Sequence, residues 1–236
     1  AWLRNAIVQA PGIRPERVAV LYPGIDFARL QAQSRDRLPE PLEAWLASGS
    51  GPLIVQVGML RGEKGHAQLL PALADALGSH PRARYVAAGA GPEQVALERL
   101  ASSLGLADRV RFLPVHPVAP LLARADLLLM PSTYEPLGMA QIEALGLGVP
   151  VLASRTGGIP ETVRDEVTGR LLPPNDRAAW AAAVSAHLAD QRPLRQMAQR
   201  GQADVRARFS IEANTEALLR YCGLGESVGR TLTADR

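Results

Sequence analysis

Two carboxylates, Glu135 and Glu143, are the only charges in STYEPLGMAQIEALGLGVPVLA, residues 132–153. Between them lies Pro-Leu-Gly, and the glycine opens a helical pattern. The first N–H groups of a helix have no partner within it, and together with the helix dipole they favour an anion, above all a phosphate. Gly138 lets that anion approach the backbone closely. Glu143 lies about 7.5 Å along the axis, and Glu135 stands in the preceding loop, so the two carboxylates flank the anion position. A carboxylate repels phosphate but accepts hydrogen bonds from neighbouring hydroxyls. A ligand with a diphosphate between two polyols matches this order: Glu143 takes a ribose diol, Glu135 the hydroxyls of a sugar beyond the phosphates. The bland alternative is that Glu135 caps its own helix and Glu143 makes a surface ion pair.

A diphosphate needs countercharge, and RGEKG (61–65) offers Arg61 and Lys64 between glycines. Lys64 is the only lysine among 26 basic residues. An ammonium and a guanidinium differ in shape and hydration, so this exception is read either as a position that arginine does not fit or as chance. RTGGIPE (155–161) is read either as a turn bringing the Gly157-Gly158 amides near the ligand or as a plain tight turn. GAGPE (89–93) lacks the third spaced glycine of a dinucleotide fingerprint and is read as a strand-to-helix turn. His66, His80, His116 and His187 lack metal-ligand spacing, and no nucleophile elbow or P-loop is present. His116 is read either as lining the pocket or, the favoured reading, as a surface histidine.

The elements positioning these residues alternate. Apolar runs at 52–58, 83–91, 109–115, 125–132, 149–154 and 169–174 read as strands. Helical patterns run over 66–77, 92–105, 118–124, 138–145, 176–190, 193–207 and 211–221. Strand–helix alternation predicts βαβ units and a doubly wound parallel sheet, with the ligand outside the carboxyl ends of the strands. Residues 17–30 read as a strand, a Pro-Gly turn and an exit; 31–51 read as breaker-rich and polar at the edges. Residues 1–17 are expected to be a linker or a remnant of a missing domain, 18–222 the folded unit and 223–236 a flexible tail.

With 236 residues, 47% hydrophobic and 21% charged, the composition is that of a globular chain. A net charge of +3 from scattered arginines, with 4% aromatics, does not indicate a nucleic-acid surface. Cys222 stands alone, which agrees with a reducing compartment. No signal peptide or membrane span is evident, and a cytoplasmic location is expected.

PSTYEPLGMAQIEALGLGVPVLASRTGGIPETV (131–163) resembles the donor-binding signature of retaining GT-B glycosyltransferases of family 4, the group 1 glycosyltransferases, in which two glutamates with seven residues between them precede a Gly-x-Pro-Val strand and a Gly-Gly turn. The resemblance extends over residues 18–221: VAVLYPGIDFARL is similar to the family's entry into its C-terminal domain, VQVGMLRGEKGHAQLLPAL to its first strand and basic loop, and FSIEANTEALLRY to its last helix. It implies a Rossmann-like α/β domain, the C-terminal half of a GT-B fold, that binds a UDP- or GDP-linked sugar for metal-independent, retaining transfer, with no cofactor. By motif position, Glu143 would bind ribose, Glu135 the sugar, and Gly138 and Met139, with Leu137 beside them, the phosphates. Lys64 would hold the leaving diphosphate. Many members carry Gly-Arg where this chain has Gly58-Met59, which leaves Arg61 as the substitute arginine. FLPVH departs from the family's Gly after Phe-Leu.

A saccharide or lipid-linked acceptor would be held largely by a missing N-terminal domain, the longer enzyme associating peripherally with the inner face of the membrane. Surface polysaccharide synthesis, of lipopolysaccharide or capsule, is the expected pathway. The competing expectations are a GT-B-like epimerase or phosphorylase relative and a non-catalytic nucleotide-sugar-binding module.

Overall fold

Six apolar runs form a single parallel sheet in the computed structural model, which describes residues 1–114 and 118–224. The strands are β1 (Leu53–Val57), β2 (Arg84–Ala88), β3 (Val110–Leu113), β4 (Leu127–Met130), β5 (Val151–Ser154) and β6 (Arg170–Leu172). The helices are α1 (Trp2–Ile7), α2 (Phe27–Gln33), α3 (Glu40–Ala47), α4 (His66–Gly78), α5 (Gln94–Ser103), α6 (Val118–Leu122), α7 (Met139–Gly146), α8 (Ile159–Thr162), α9 (Arg177–Ala189), α10 (Arg192–Phe209) and α11 (Ile211–Tyr221).

Alternate strand residues face opposite layers. Val55, Leu128 and Val151 pack with Phe27, Leu42, Ile142, Leu145 and Phe209. Ile54, Leu127, Leu129 and Leu152 pack with Leu70, Leu73, Leu97, Trp180 and Val184 on the other side. A sheet covered on both faces explains why the strands read as continuous apolar runs. Side chains cap three helices: Asp26 accepts from Arg29, Asp176 from Ala179 and Ser210 from Ala213.

The strand order is β3-β2-β1-β4-β5-β6. From β1 the chain moves towards β2, and from β4 towards β5 on the other side. Their loops therefore diverge, opening a crevice at the carboxyl ends of β1 and β4.

Two expectations are corrected. Residues 18–24 form no strand, because no neighbour pairs with them; only Ile25 makes a bridge, to Ser210. The breaker-rich segment 31–51 contains α3, because Pro39 and Pro41 occupy the helix start, where a proline's missing N–H costs nothing. α1 buries no residue of its own, and the N–H of Trp2 bonds to Glu161. His116 and residues 225–236 lie outside the described residues.

Candidate functional site

The crevice is built from the loops after β1 and β4. A 3-10 turn over Gly62–Lys64 ends at Gly65, which is left-handed at φ 72°. A Cβ on Gly65 would stand 2.1 Å from the Pro131 carbonyl oxygen, so only glycine lets the loops meet there. Thr133 N–H donates to the Glu63 carbonyl at 2.9 Å. This contact delivers Lys64 to Glu135: Nζ donates to Oε2 at 2.6 Å, with the side chains 18% and 10% exposed. Lys64 has two further N–H donors, and no described residue bonds Glu135 Oε1.

The second part is the start of α7. Gly138, at φ 84°, precedes the helix, and a Cβ there would lie 2.2 Å from the Gln141 amide. That buried amide donates to the Leu137 carbonyl at 2.8 Å and to Thr162 Oγ1 at 2.9 Å, fixing the turn. No side chain caps the helix, and the N–H groups of Gly138, Met139 and Ala140 find no acceptor among the described residues. Glu143 is half-buried on the next turn, with no hydrogen-bond or ion-pair partner among the described residues. Burial pushes its carboxyl above the usual range. Among the described residues the bland alternative is not met at either glutamate: Glu135 caps no helix and Glu143 makes no ion pair.

Arg61 is exposed and has no carboxylate partner among the described residues. Gly58 uses its N–H on the Ala88 carbonyl and lies against the Lys64 stem, which a Cβ would meet at 3.6 Å. It shapes the lysine's path, and its amide is not free for a ligand. Gly157-Gly158 is also reassigned from ligand contact. A Cβ on either would come within 2.0 Å of the carbonyl oxygens of Glu135 and Pro136, and Gly158 N–H bonds Glu135 O at 2.9 Å. The pair braces the glutamate loop. GAGPE behaves as a strand-to-helix turn that grips the β1 loop, with Leu60 N–H on Ala90 O at 3.0 Å.

Gln56, Tyr85 and His66, also outside the sequence-derived site, support the loop that carries Lys64. Gln56 and Tyr85 are buried polar positions within strands, and a glutamine in the apolar run PLIVQVG is the signal that could have marked the group. Among the described residues no group of three or more His, Cys, Asp or Glu could hold a metal ion.

A parallel 3-2-1-4-5-6 sheet with an uncapped helix start and a lysine–glutamate pair at its switch point defines a Rossmann-like α/β domain with an anion cradle. The chain belongs to the glycosyl transferases group 1 family, whose model matches residues 42–204. It is 37% identical over 223 residues to the D-inositol 3-phosphate glycosyltransferase of Nocardia farcinica, covering 90% of this chain and 49% of that protein. The chain thus spans about half the length of the curated relatives it matches. Anabaena Alr3699/HepE in complex with UDP and glucose superposes with a TM-score of 0.82 at 26% identity, over 93% of this chain and 60% of that one. WaaG, a glycosyltransferase involved in lipopolysaccharide biosynthesis, shares the fold with a TM-score of 0.76 at 24% identity, over 93% and 60%. The fold is the C-terminal, Rossmann-like half of a GT-B glycosyltransferase.

Proposed function

We propose that this domain binds the donor, a nucleoside diphosphate sugar, for a retaining glycosyl transfer that needs no metal. The observation that carries the reading is the alignment of an uncapped α7 start with two carboxylates, Glu143 unpartnered and Glu135 with one oxygen open. The diphosphate takes the N–H groups of Gly138 and Met139, the ribose diol donates to Glu143, and the sugar hydroxyls donate to Glu135 Oε1. Transfer breaks the bond between the anomeric carbon and the β-phosphate oxygen as the acceptor hydroxyl oxygen bonds to that carbon; the electron pair of the broken bond stays on the diphosphate, which takes up the hydroxyl proton. The free N–H donors of Lys64, the guanidinium of Arg61 and the helix start stabilise that charge where it develops. Glu135 holds Lys64 in place without consuming its other donors.

UDP is the favoured nucleotide, since the structural relative at 26% identity carries it. The acceptor lies with a second domain, into which residues 1–17 lead. The names of the sequence relatives favour a phosphorylated cyclitol acceptor; surface polysaccharide is the second reading. No described helix is long and apolar enough to cross a membrane, and peripheral work at the cytoplasmic face fits the donor's chemistry.

Isothermal titration with UDP and UDP-glucose tests the donor reading. Glu143→Ala and Lys64→Ala should each weaken binding by about tenfold or more, with the thermal midpoint little changed. Unchanged affinity in both variants sinks the site assignment.

A further inference from the structure

Beneath the basic loop lies a buried polar cluster that the donor site does not itself use. Gln56 is 2% exposed in β1, and Tyr85 and His66 are each 1% exposed. Tyr85 Oη donates to Gln56 Oε1 at 2.7 Å. Gln56 Nε2 donates to the Lys64 backbone carbonyl at 2.8 Å. His66 Nε2 lies 3.2 Å from the Met59 carbonyl and 3.4 Å from Gln56 Nε2. The cluster thus grips the loop at both ends, at Met59 and at Lys64.

The chemistry of each group fits holding better than filling. The Tyr85 hydroxyl fixes the glutamine amide: with Oε1 accepting from Tyr85, Nε2 must face the Lys64 carbonyl, and the flipped amide would set oxygen against oxygen. Burial keeps His66 neutral, its pKa pushed down to about 4, so no second cation stands under the lysine. His66 Nδ1 has no partner among the described residues, a cost that an apolar core would avoid. Every bond the cluster makes to the loop goes to a backbone carbonyl. On its other side the same peptide is held by Gly65 against Pro131. With its backbone held on both sides, the Lys64 stem runs past Gly58 to Glu135.

We infer that Gln56, oriented by Tyr85, and with His66 at the far end of the loop, is a positioning residue that aims the Lys64 ammonium at the donor diphosphate. The inference rests on the donor reading above. It separates this cluster from an ordinary buried polar network by what it should affect: the contact to the terminal phosphate alone.

The test is titration of the chain with UDP and with UMP, which lacks the terminal phosphate. Gln56→Leu and Tyr85→Phe should each weaken UDP about fivefold, the worth of one hydrogen bond, and leave UMP unchanged. In a Lys64→Met background neither change should weaken UDP further, because the group being aimed is gone. Tyr85→Phe keeps the ring and its packing, so it reports even if Gln56→Leu does not fold. Equal losses for UDP and UMP, unchanged UDP affinity, or full additivity with Lys64→Met overturns the inference. UDP binding that depends on Lys64 but not on Gln56 or Tyr85 leaves the donor reading standing, whereas an unaltered chain that fails to bind UDP removes both.

Discussion

The two ends of β4 handle charge in opposite ways. At its amino end Asp126 has both carboxylate oxygens engaged, Oδ2 accepting from Leu53 N–H at 2.9 Å and Oδ1 from Arg195 at 3.0 Å. Its carbonyl meets His187 Nε2 at 3.0 Å. At the carboxyl end, a few residues on, Glu135 keeps one oxygen open, Arg61 and Glu143 have no partner among the described residues, and the α7 start is uncapped. One end is a closed knot that ties strand to strand and to α10. The other leaves donors and acceptors unspent in a crevice that glycine-dependent backbone contacts hold open. Asp126 is satisfied within the chain, whereas at the other end only Lys64 and Glu135 pair, and Arg61 and Glu143 have no partner among the described residues.

The largest break falls where the two loops of the open end meet. Gly65→Ala forces a Cβ into the Pro131 carbonyl from a left-handed backbone, and should cost about 3 kcal/mol in denaturant titrations together with most of the UDP affinity. The closed end gives the contrast. Asp126→Ala strands the Leu53 N–H and should cost about 2 kcal/mol, yet leave UDP affinity within about twofold, as expected for a site at the far end of the strand. A change in affinity as large as the change in stability would erase the distinction between the ends.

Each end also contains a buried neutral histidine whose Nε2 faces a backbone carbonyl and whose Nδ1 has no partner among the described residues, His66 and His187. Desolvation lowers both pKa values; the Met59 carbonyl pulls His66 partly back up against Lys64, and Asp126 with Asp190 pulls His187 partly back up against Arg195. Unfolded histidine titrates near 6.5 and binds more protons than the folded form, so stability should fall as pH drops from about 6.5 towards 4. Thermal midpoints across that window should decline less in His66→Gln than in His187→Gln. The reverse order would mean that burial does not depress His66 more strongly than His187.

Much of this was legible in the sequence because it is local. Strands covered on both faces announce themselves as apolar runs, and a glycine-then-helix start between two glutamates is readable from a dozen residues. Lys64 was visible as an exception to an arginine habit. Its pairing with Glu135 was not, since 71 positions separate them and only the adjacency of β1 and β4 brings them together. Gly157-Gly158 carried the signature of close backbone approach, but sequence cannot say to what, and the answer is the chain's own loop. α3 was hidden by prolines that mark a helix start as readily as a loop, and Gln56 by a strand whose burial made one polar residue easy to pass over.

The smallest expected effect is the sharpest test of the comparison, because it should have opposite signs in two measurements. Glu143 is half-buried without a partner, and its carboxyl is raised by desolvation. A carboxylate with a raised folded pKa destabilises the fold when ionised, so the unliganded domain loses stability as pH climbs from the unfolded value of about 4.5 through the folded one. Glu143→Gln removes that penalty and keeps the side chain's size. At pH 7 it should raise the thermal midpoint by a degree or so, a fraction of a kcal/mol after solvent screening, while weakening UDP about tenfold by replacing a two-oxygen acceptor of the ribose diol with an amide. The same exchange at a paired acid, Asp126→Asn, should lower stability and spare binding. If Glu143→Gln instead destabilises the free domain, the carboxylate has a structural partner, and the contrast between a closed and an open end of β4 no longer holds.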